Sequence, residues 1–320
     1  ARRRYAAFAP FPRVRRATAP YGVGVQGDLV EEVRTRLEAE GLQGEPVSSL
    51  RDRFDAGLAD DLRRFQWSRG LPVSGIVDDG TTAALNESNA DLLDRLTLAV
   101  RAVRRSSLRD LREYVLVNIP EFMVELVSGG ERQRFRAIVG YAFGTGGGRT
   151  KLLSSPLSSV TLNPGWTPSD TILEDELLPK EREAPGTLHK LGFRPFTRRD
   201  GRSGLYQMPG DANALGRVTV NFPNDGALYL HGTPDERPFA LATRAFSHGC
   251  VRVQDIESLA RAILERTGSL PEGDFEQVLE TRKKTEVPLA RPMAFAIEYV
   301  RVTVEDDGFV RFLPDVYRLD

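Results

Sequence analysis

Two short segments hold the residues best equipped for chemistry: Tyr229-Leu230-His231-Gly232-Thr233-Pro234 and Ser247-His248-Gly249-Cys250-Val251-Arg252, which set His231 and Cys250 19 positions apart. A cysteine attacks as its thiolate, and an imidazole beside it can accept the thiol proton and later return it to a leaving amine. Acyl transfer from an amide needs that pair together with hydrogen-bond donors for the developing oxyanion. Gly249 permits a tight turn beside the thiol, so the amides of Gly249 and Cys250 are candidate oxyanion donors. The residues alone leave two candidates for the base. His248 lies two positions from Cys250, on the same face of an extended segment, whereas His231 lies upstream.

Cys250 is the sole cysteine, which excludes an intramolecular disulfide and a multi-cysteine zinc site. Of the three histidines two fall in this frame, and the third, His189, sits among Gly186, Lys190 and Gly192 in a polar stretch read as an exposed loop. None of the short spacings that metal sites favour is present, so neither a metal nor a cofactor is expected. The glycine-rich run Gly144 to Gly148 lacks the Gly-Lys-Ser/Thr ending of a phosphate-binding loop.

These residues must be positioned by a chain of 320 residues, 40% hydrophobic and 28% charged, which reads as a globular protein of two folded units or one large one. The 44 Lys and Arg nearly balance 45 Asp and Glu, so nothing in the charge argues for nucleic acid as a partner. No run of about 18 apolar residues occurs, and no membrane span is expected. The chain begins with Ala, which suggests a trimmed form from which a signal or anchor has been removed.

Residues 1–25, with Pro10, Pro12, Pro20, Gly22, Gly24 and a cluster of arginines, read as an extended linker or tether. Leu29, Val30, Val33 and Leu37 then mark one face of a helix that Gly41 stops. A polar link follows from Gly44 to Arg53, and a second helix runs from Asp55 through Leu58, Leu62 and Phe65 to Trp67 and ends at Gly70. After a turn, a third runs from Asp79 through Leu85; Leu62, Phe65, Leu71, Ile76 and Leu85 are the expected core of this module, residues 26–90. Residues 91–113 read as a connecting helix with Leu92, Leu96, Val100 and Val103 on one side. From Tyr114 the period switches to two: strands are expected at Tyr114 to Ile119, Glu121 to Val127 and Arg134 to Gly140, with a helix later at about Val253 to Arg266. The fold class is α+β, a small three-helix module followed by a β-rich domain over 114–320 that carries an insertion at about 177–207.

The helical segment resembles the three-helix peptidoglycan-binding domain through Phe65-Gln66, Gly70-Leu71-Pro72, Gly75, Asp78, Thr82 and Leu85. The His231 and Ser247-His248-Gly249-Cys250 segments resemble the YkuD-type catalytic domain of L,D-transpeptidases. Val117-Asn118-Ile119-Pro120, Asn163-Pro164-Gly165-Trp166, Asn213-Ala214-Leu215-Gly216-Arg217 and Asn221-Phe222-Pro223-Asn224 are similar to its YcbB-like branch, as is Arg252 where many members carry asparagine.

The resemblance implies Cys250 as nucleophile and His231 as base, with the imidazole oriented by a backbone carbonyl because Gly232 offers no side chain. Ser247, His248, Gly249 and Gly232 are expected to support the pair, and Arg252, Tyr229, Trp166, Asn213 and Tyr206 to meet the substrate. It further implies that the insertion caps the active site and that carbapenem-type β-lactams acylate the cysteine. The expected reaction is crosslinking of peptidoglycan stem peptides in the periplasm or cell envelope, with peptidoglycan glycan and other wall-synthesis proteins as possible partners. An L,D-carboxypeptidase or wall-protein link hydrolase working through the same thioester, and an inactive wall-binding protein, remain open alternatives.

Overall fold

A computed structural model describes residues 1–43, 50–141, 148–226, 228–269 and 274–319. It divides into two compact units, residues 1–106 with 299–320, and residues 107–298. The glycine-rich run 142–147 and most of the polar link after Gly44 lie outside the described residues.

In the first unit the expected helices form at Asp28–Ala39 (α2), Ala56–Ser68 (α3) and Asp79–Leu85 (α4), preceded by Arg2–Ala7 (α1) and followed by Asn89–Arg105 (α5). Asp55 and Asp78 cap α3 and α4 by accepting from the amides of Leu58 and Thr81, which explains where each begins. Val30, Val33, Leu37, Leu58, Leu62, Phe65 and Leu85 meet in one core. Gln66 is fully buried and its side chain does turn work: its amide donates to Ser74, Ile76 and Thr81 while its oxygen accepts from Gly75.

Residues 1–25 are not a tether. Tyr5 and Val14 are buried, and Tyr21 pairs with Val77 through two backbone hydrogen bonds of 3.2 and 2.8 Å. That pairing turns Val77 inward and leaves Ile76 44% exposed, the reverse of the expected core. The segment 299–320, expected with the β-rich domain, also packs in this unit. Its hairpin, Val302–Val304 with Val310–Phe312, contributes Phe312 to a cluster with Tyr5, Leu92 and Leu96. Only the first half of α5 is buried, since Val100 and Val103 stand 39% and 48% exposed.

The second unit is built on strands Glu113–Asn118 (β1), Met123–Ser128 (β2), Glu131–Gly140 (β3), Leu153–Leu162 (β4), Phe193–Thr197 (β5), Ser203–Gln207 (β6), Val218–Asn221 (β7), Leu230–His231 (β8), Ala245–Ser247 (β9), Val251–Val253 (β10) and Thr285–Glu298 (β11). Eight of them run β3-β10-β8-β7-β4-β11-β1-β2 and back to β3, because β10 pairs with both β8 and β3. The sheet thereby closes on itself as a barrel, with β9 added along β3. Helix α6, Ile256–Thr267, is capped by Asp255 and stopped by Gly268 at φ +67°, and buries Leu259 and Ile263 against the sheet.

Between β4 and β7 the chain leaves the barrel. A helical run (Asp170–Ile172, a π-helical turn Leu173–Leu177, then Leu178–Glu183 and Thr187–Lys190) and the β5–β6 hairpin enclose a small core of Leu177, Leu188 and Phe193 with Trp166 and Leu205 against it. This insertion starts earlier than the expected residue 177. Trp166 is its clasp, exchanging backbone hydrogen bonds of 3.0 and 2.7 Å with Gln207.

Candidate active site

Strand alternation decides which residues reach the site. On neighbouring strands Val160, Val220, Leu230 and Val251 stand in one row and are completely buried. The next row, Thr161, Thr219, His231 and Arg252, therefore occupies the opposite face. Cys250 directly precedes β10 and shares the parity of Arg252, so Cys250 and His231 lie diagonally on one face of adjacent parallel strands. Tyr229 completes the group, its ring edge-on to the imidazole at 5.7 Å and its backbone oxygen accepting from the amide of Val251.

The imidazole is fixed from behind. Its Nδ1 lies 2.6 Å from the carbonyl oxygen of Gly232, which can only accept, so Nδ1 carries the proton and Nε2 is left as the basic nitrogen. Gly216, at φ +66°, makes room for that carbonyl: a Cβ there would fall 2.9 Å from the backbone of Gly232 and Thr233. Burial, then the charge of Arg252, push the His231 pKa down to about 3 against the pull of the Gly232 carbonyl. Burial pushes the Cys250 thiol up, with a backbone hydrogen bond from Tyr229 and the charge of Arg252 acting the other way. Both shifts favour the uncharged forms of imidazole and thiol.

Ser247 and Gly249 fold the approach to the thiol. The Ser247 hydroxyl donates to the carbonyl of Cys250 and accepts from the amide of Gly249 at 3.2 Å. The Gly249 amide is thus engaged by Ser247. Gly249 has φ +115°, a conformation side chains rarely adopt, and its carbonyl accepts from Thr150 at 2.8 Å. Thr150, not singled out by sequence, is buried and also accepts from the amide of Gly140 at 2.8 Å.

His248, the competing base, is engaged by the insertion. Its Nε2 lies 2.8 Å from Glu176 of the insertion, and its ring meets that of Tyr141 edge-on. His189 is exposed, on the short helix Thr187–Lys190.

Asn213 is buried with its amide donating to the carbonyls of Gln207 and Met208 and its oxygen accepting from Leu215. It ties the insertion's exit at Gln207 and Met208 to the backbone of Leu215. Trp166 and Tyr206 are half-buried: Trp166 packs on Phe193, and Tyr206 covers Gly165, where a Cβ would overlap its hydroxyl.

A cavity of about 430 Å³ opens on Cys250. It is lined by Arg149, Lys151, His248 and Gly249 and by Pro223, Asn224, Asp225 and Leu228. Asn224 shapes the 223–228 part of that lining, bonding with its side chain to the backbone of Phe222, Gly226 and Leu228. Among the described residues no group of three His, Cys, Asp or Glu is placed to hold a metal, and no helix is long and apolar enough to cross a membrane.

Fold and site together define a barrel with a cysteine–histidine pair on one face. Residues 112–282 match the model of the L,D-transpeptidase catalytic domain, YkuD, and residues 26–85 match a model described as "Putative peptidoglycan binding domain". A Haemophilus influenzae protein named "Putative L,D-transpeptidase" is 30% identical over 240 residues, covering 70% of this chain; the chain spans about half the length of that relative, 48%. Among solved structures, an L,D-transpeptidase from Xylanimonas cellulosilytica is 17% identical, covering 89% of this chain and all of that one, at a TM-score of 0.26. L,D-transpeptidase 3 from Mycobacterium tuberculosis in complex with a faropenem-derived adduct is 13% identical, covering 58% of this chain and 60% of that one, at 0.29. Superpositions this loose add nothing to the argument. The chain belongs to the L,D-transpeptidase family, with a YkuD catalytic domain and an N-terminal peptidoglycan-binding domain.

Proposed function

We propose that the protein is an L,D-transpeptidase of the YcbB-like branch that forms peptidoglycan crosslinks in the periplasm or cell envelope, with Cys250 as nucleophile and His231 as base. The observation that supports this most is the lock of His231 Nδ1–H on the Gly232 carbonyl, which reserves Nε2 for proton transfer on the face shared with Cys250.

In this reading Cys250 Sγ attacks the carbonyl at the L-centre of the third residue of a donor tetrapeptide while Nε2 takes the thiol proton. The tetrahedral intermediate collapses as the imidazolium protonates the leaving nitrogen, the C–N bond breaks, and D-alanine departs from a thioester. An acceptor amine then attacks, gives its proton to Nε2, and the C–S bond breaks to restore the cysteine. The shifts of both groups favour their uncharged forms, which fits a proton that moves with the attack rather than before it. The insertion serves as a cap that limits water, which competes with the acceptor amine.

The test is to incubate the chain with tetrapeptide muropeptides and separate the products by liquid chromatography and mass spectrometry, beside Cys250→Ala. Dimers that have lost one D-alanine, absent with the variant, are expected. Tripeptide monomers alone would make the protein an L,D-carboxypeptidase, and unchanged substrate would leave it a wall-binding protein.

A further inference from the structure

Cations at the mouth of a nucleophile's cavity are informative when the backbone holds them in place. Thr150 is buried and fastened at both ends of its hydroxyl, to Gly140 and to the carbonyl of Gly249. Its neighbours Arg149 and Lys151 are exposed and both line the cavity that contains Cys250. The segment is pressed close against the barrel: a Cβ on Gly140 would fall 1.9 Å from the oxygen of Gly148 and 2.6 Å from the nitrogen of Thr150, so only glycine fits there. Thr150 thus anchors two cationic residues to the glycine that precedes the nucleophile. Asp225 lines the same cavity.

From this juxtaposition we propose that Arg149 and Lys151 form a carboxylate-recognising wall of the Cys250 cavity and select donors by a free carboxylate near the attacked carbonyl. The proposal rests on the thioester reading above. In a donor that releases an α-amino acid, the leaving residue carries its carboxylate within one residue, roughly 3.5 Å of chain, of the scissile bond. Charge-assisted recognition of that group places the scissile carbonyl at Sγ and disfavours donors that continue beyond the fourth residue. Stem peptides also carry a carboxylate upstream of the attacked residue, and the same chemistry could read it.

The experiment uses the full chain, Lys151→Ala, Arg149→Ala, and Lys151→Arg as the charge-retaining control, with melting curves to establish folding. Three donors are compared: the tetrapeptide, its C-terminal amide, and the tetrapeptide amidated at the upstream carboxylate. Acylation kcat/KM for the tetrapeptide is expected to fall about 10- to 100-fold in the alanine variants and to be largely retained in Lys151→Arg. The C-terminal amide should be a poor donor for the wild type and lose little more in the variants. If only the upstream amide abolishes the difference between wild type and variant, the wall reads that carboxylate instead. An equal loss with all three donors overturns the proposal.

Protection of Cys250 from iodoacetamide by the tetrapeptide, taken as the ratio of rates with and without peptide in each protein, reads binding without turnover. Protection that requires the carboxylate and the cations supports the wall even if no acyl-enzyme forms. Protection indifferent to both refutes the wall even if crosslinking is observed.

Discussion

His231 Nδ1 sits 2.6 Å from the carbonyl of the residue that follows it, Gly232, so the backbone rather than a third side chain sets the tautomer of the imidazole. That carbonyl is itself held where Gly216 makes room for it. Gly216→Ala must either strain a positive-φ position or push the Gly232 backbone away. It is expected to cost about 1–3 kcal/mol of stability and to slow acylation by roughly 10- to 100-fold through displacement of His231. Denaturant melts and single-turnover acylation measure both, and a variant with wild-type acylation would remove Gly216 from the positioning of the base.

A pair resting in its uncharged forms has a pH signature. Because the Cys250 thiol lies above its ordinary range, alkylation by iodoacetamide should rise about tenfold per pH unit through neutrality and beyond, with no inflection near 6.5. A plateau beginning below pH 7 would show a thiolate–imidazolium pair instead. The sign for stability follows from the depressed histidine. Its folded pKa, about 3, lies below the unfolded value of 6.5, so its contribution is fully present above pH 6.5 and is lost as the pH falls toward 3. Melting temperature against pH, with His231→Gln for comparison, should show that dependence weakened in the variant.

The contact between His248 Nε2 and Glu176 joins the nucleophile's motif to the insertion. Both groups are partly exposed, so Glu176→Gln should change stability by less than about 1 kcal/mol. The expected effect is on partition: more tripeptide from hydrolysis relative to crosslinked dimer. An unchanged product ratio would dissociate the insertion from water exclusion.

In the first unit Glu40 is buried between Arg36 at 3.0 Å and Arg69 at 2.6 Å, and accepts from the Tyr5 hydroxyl at 2.9 Å. Burial works to raise its pKa, but the two guanidinium groups outweigh it and hold the carboxyl below the usual range. Its contribution is therefore present at neutral pH and lost as the pH falls through that depressed value. Glu40→Ala strips two buried cations of their shared carboxylate, leaving Arg69 with Glu87 at 3.4 Å, and should destabilise this unit by about 3–5 kcal/mol in a denaturant melt. A change under 1 kcal/mol would mean that water replaces the carboxylate.

Local signals in the sequence carried much of this. Helix faces, the early strands and the His231–Cys250 frame all follow from period and residue type within a short window. What escaped depends on pairing across the chain. Nothing near Tyr5 or Tyr21 announces Glu40 or Val77 as partners, and proline and glycine made that segment read as linker. The same applies to residues 299–320, whose hairpin alternates like any other strand pair but packs with distant helices. Asn213, Trp166 and Tyr206 look like polar and aromatic contacts by type alone, yet Asn213 spends its amide on the backbone of Gln207, Met208 and Leu215, and Trp166 and Tyr206 pack on Phe193 and Gly165. Arg149 and Lys151 were illegible because surface charges have no periodicity, and only the anchoring of Thr150 marks their segment.

The central claim, an acyl-enzyme on Cys250, is tested most directly by intact-mass spectrometry of the chain mixed with donor tetrapeptide and acid-quenched at early times. A covalent adduct of the tripeptide acyl group that maps to Cys250, disappears in Cys250→Ala and forms slowly in His231→Gln is the predicted result. No adduct on the wild-type protein, or one that persists in Cys250→Ala, would contradict it.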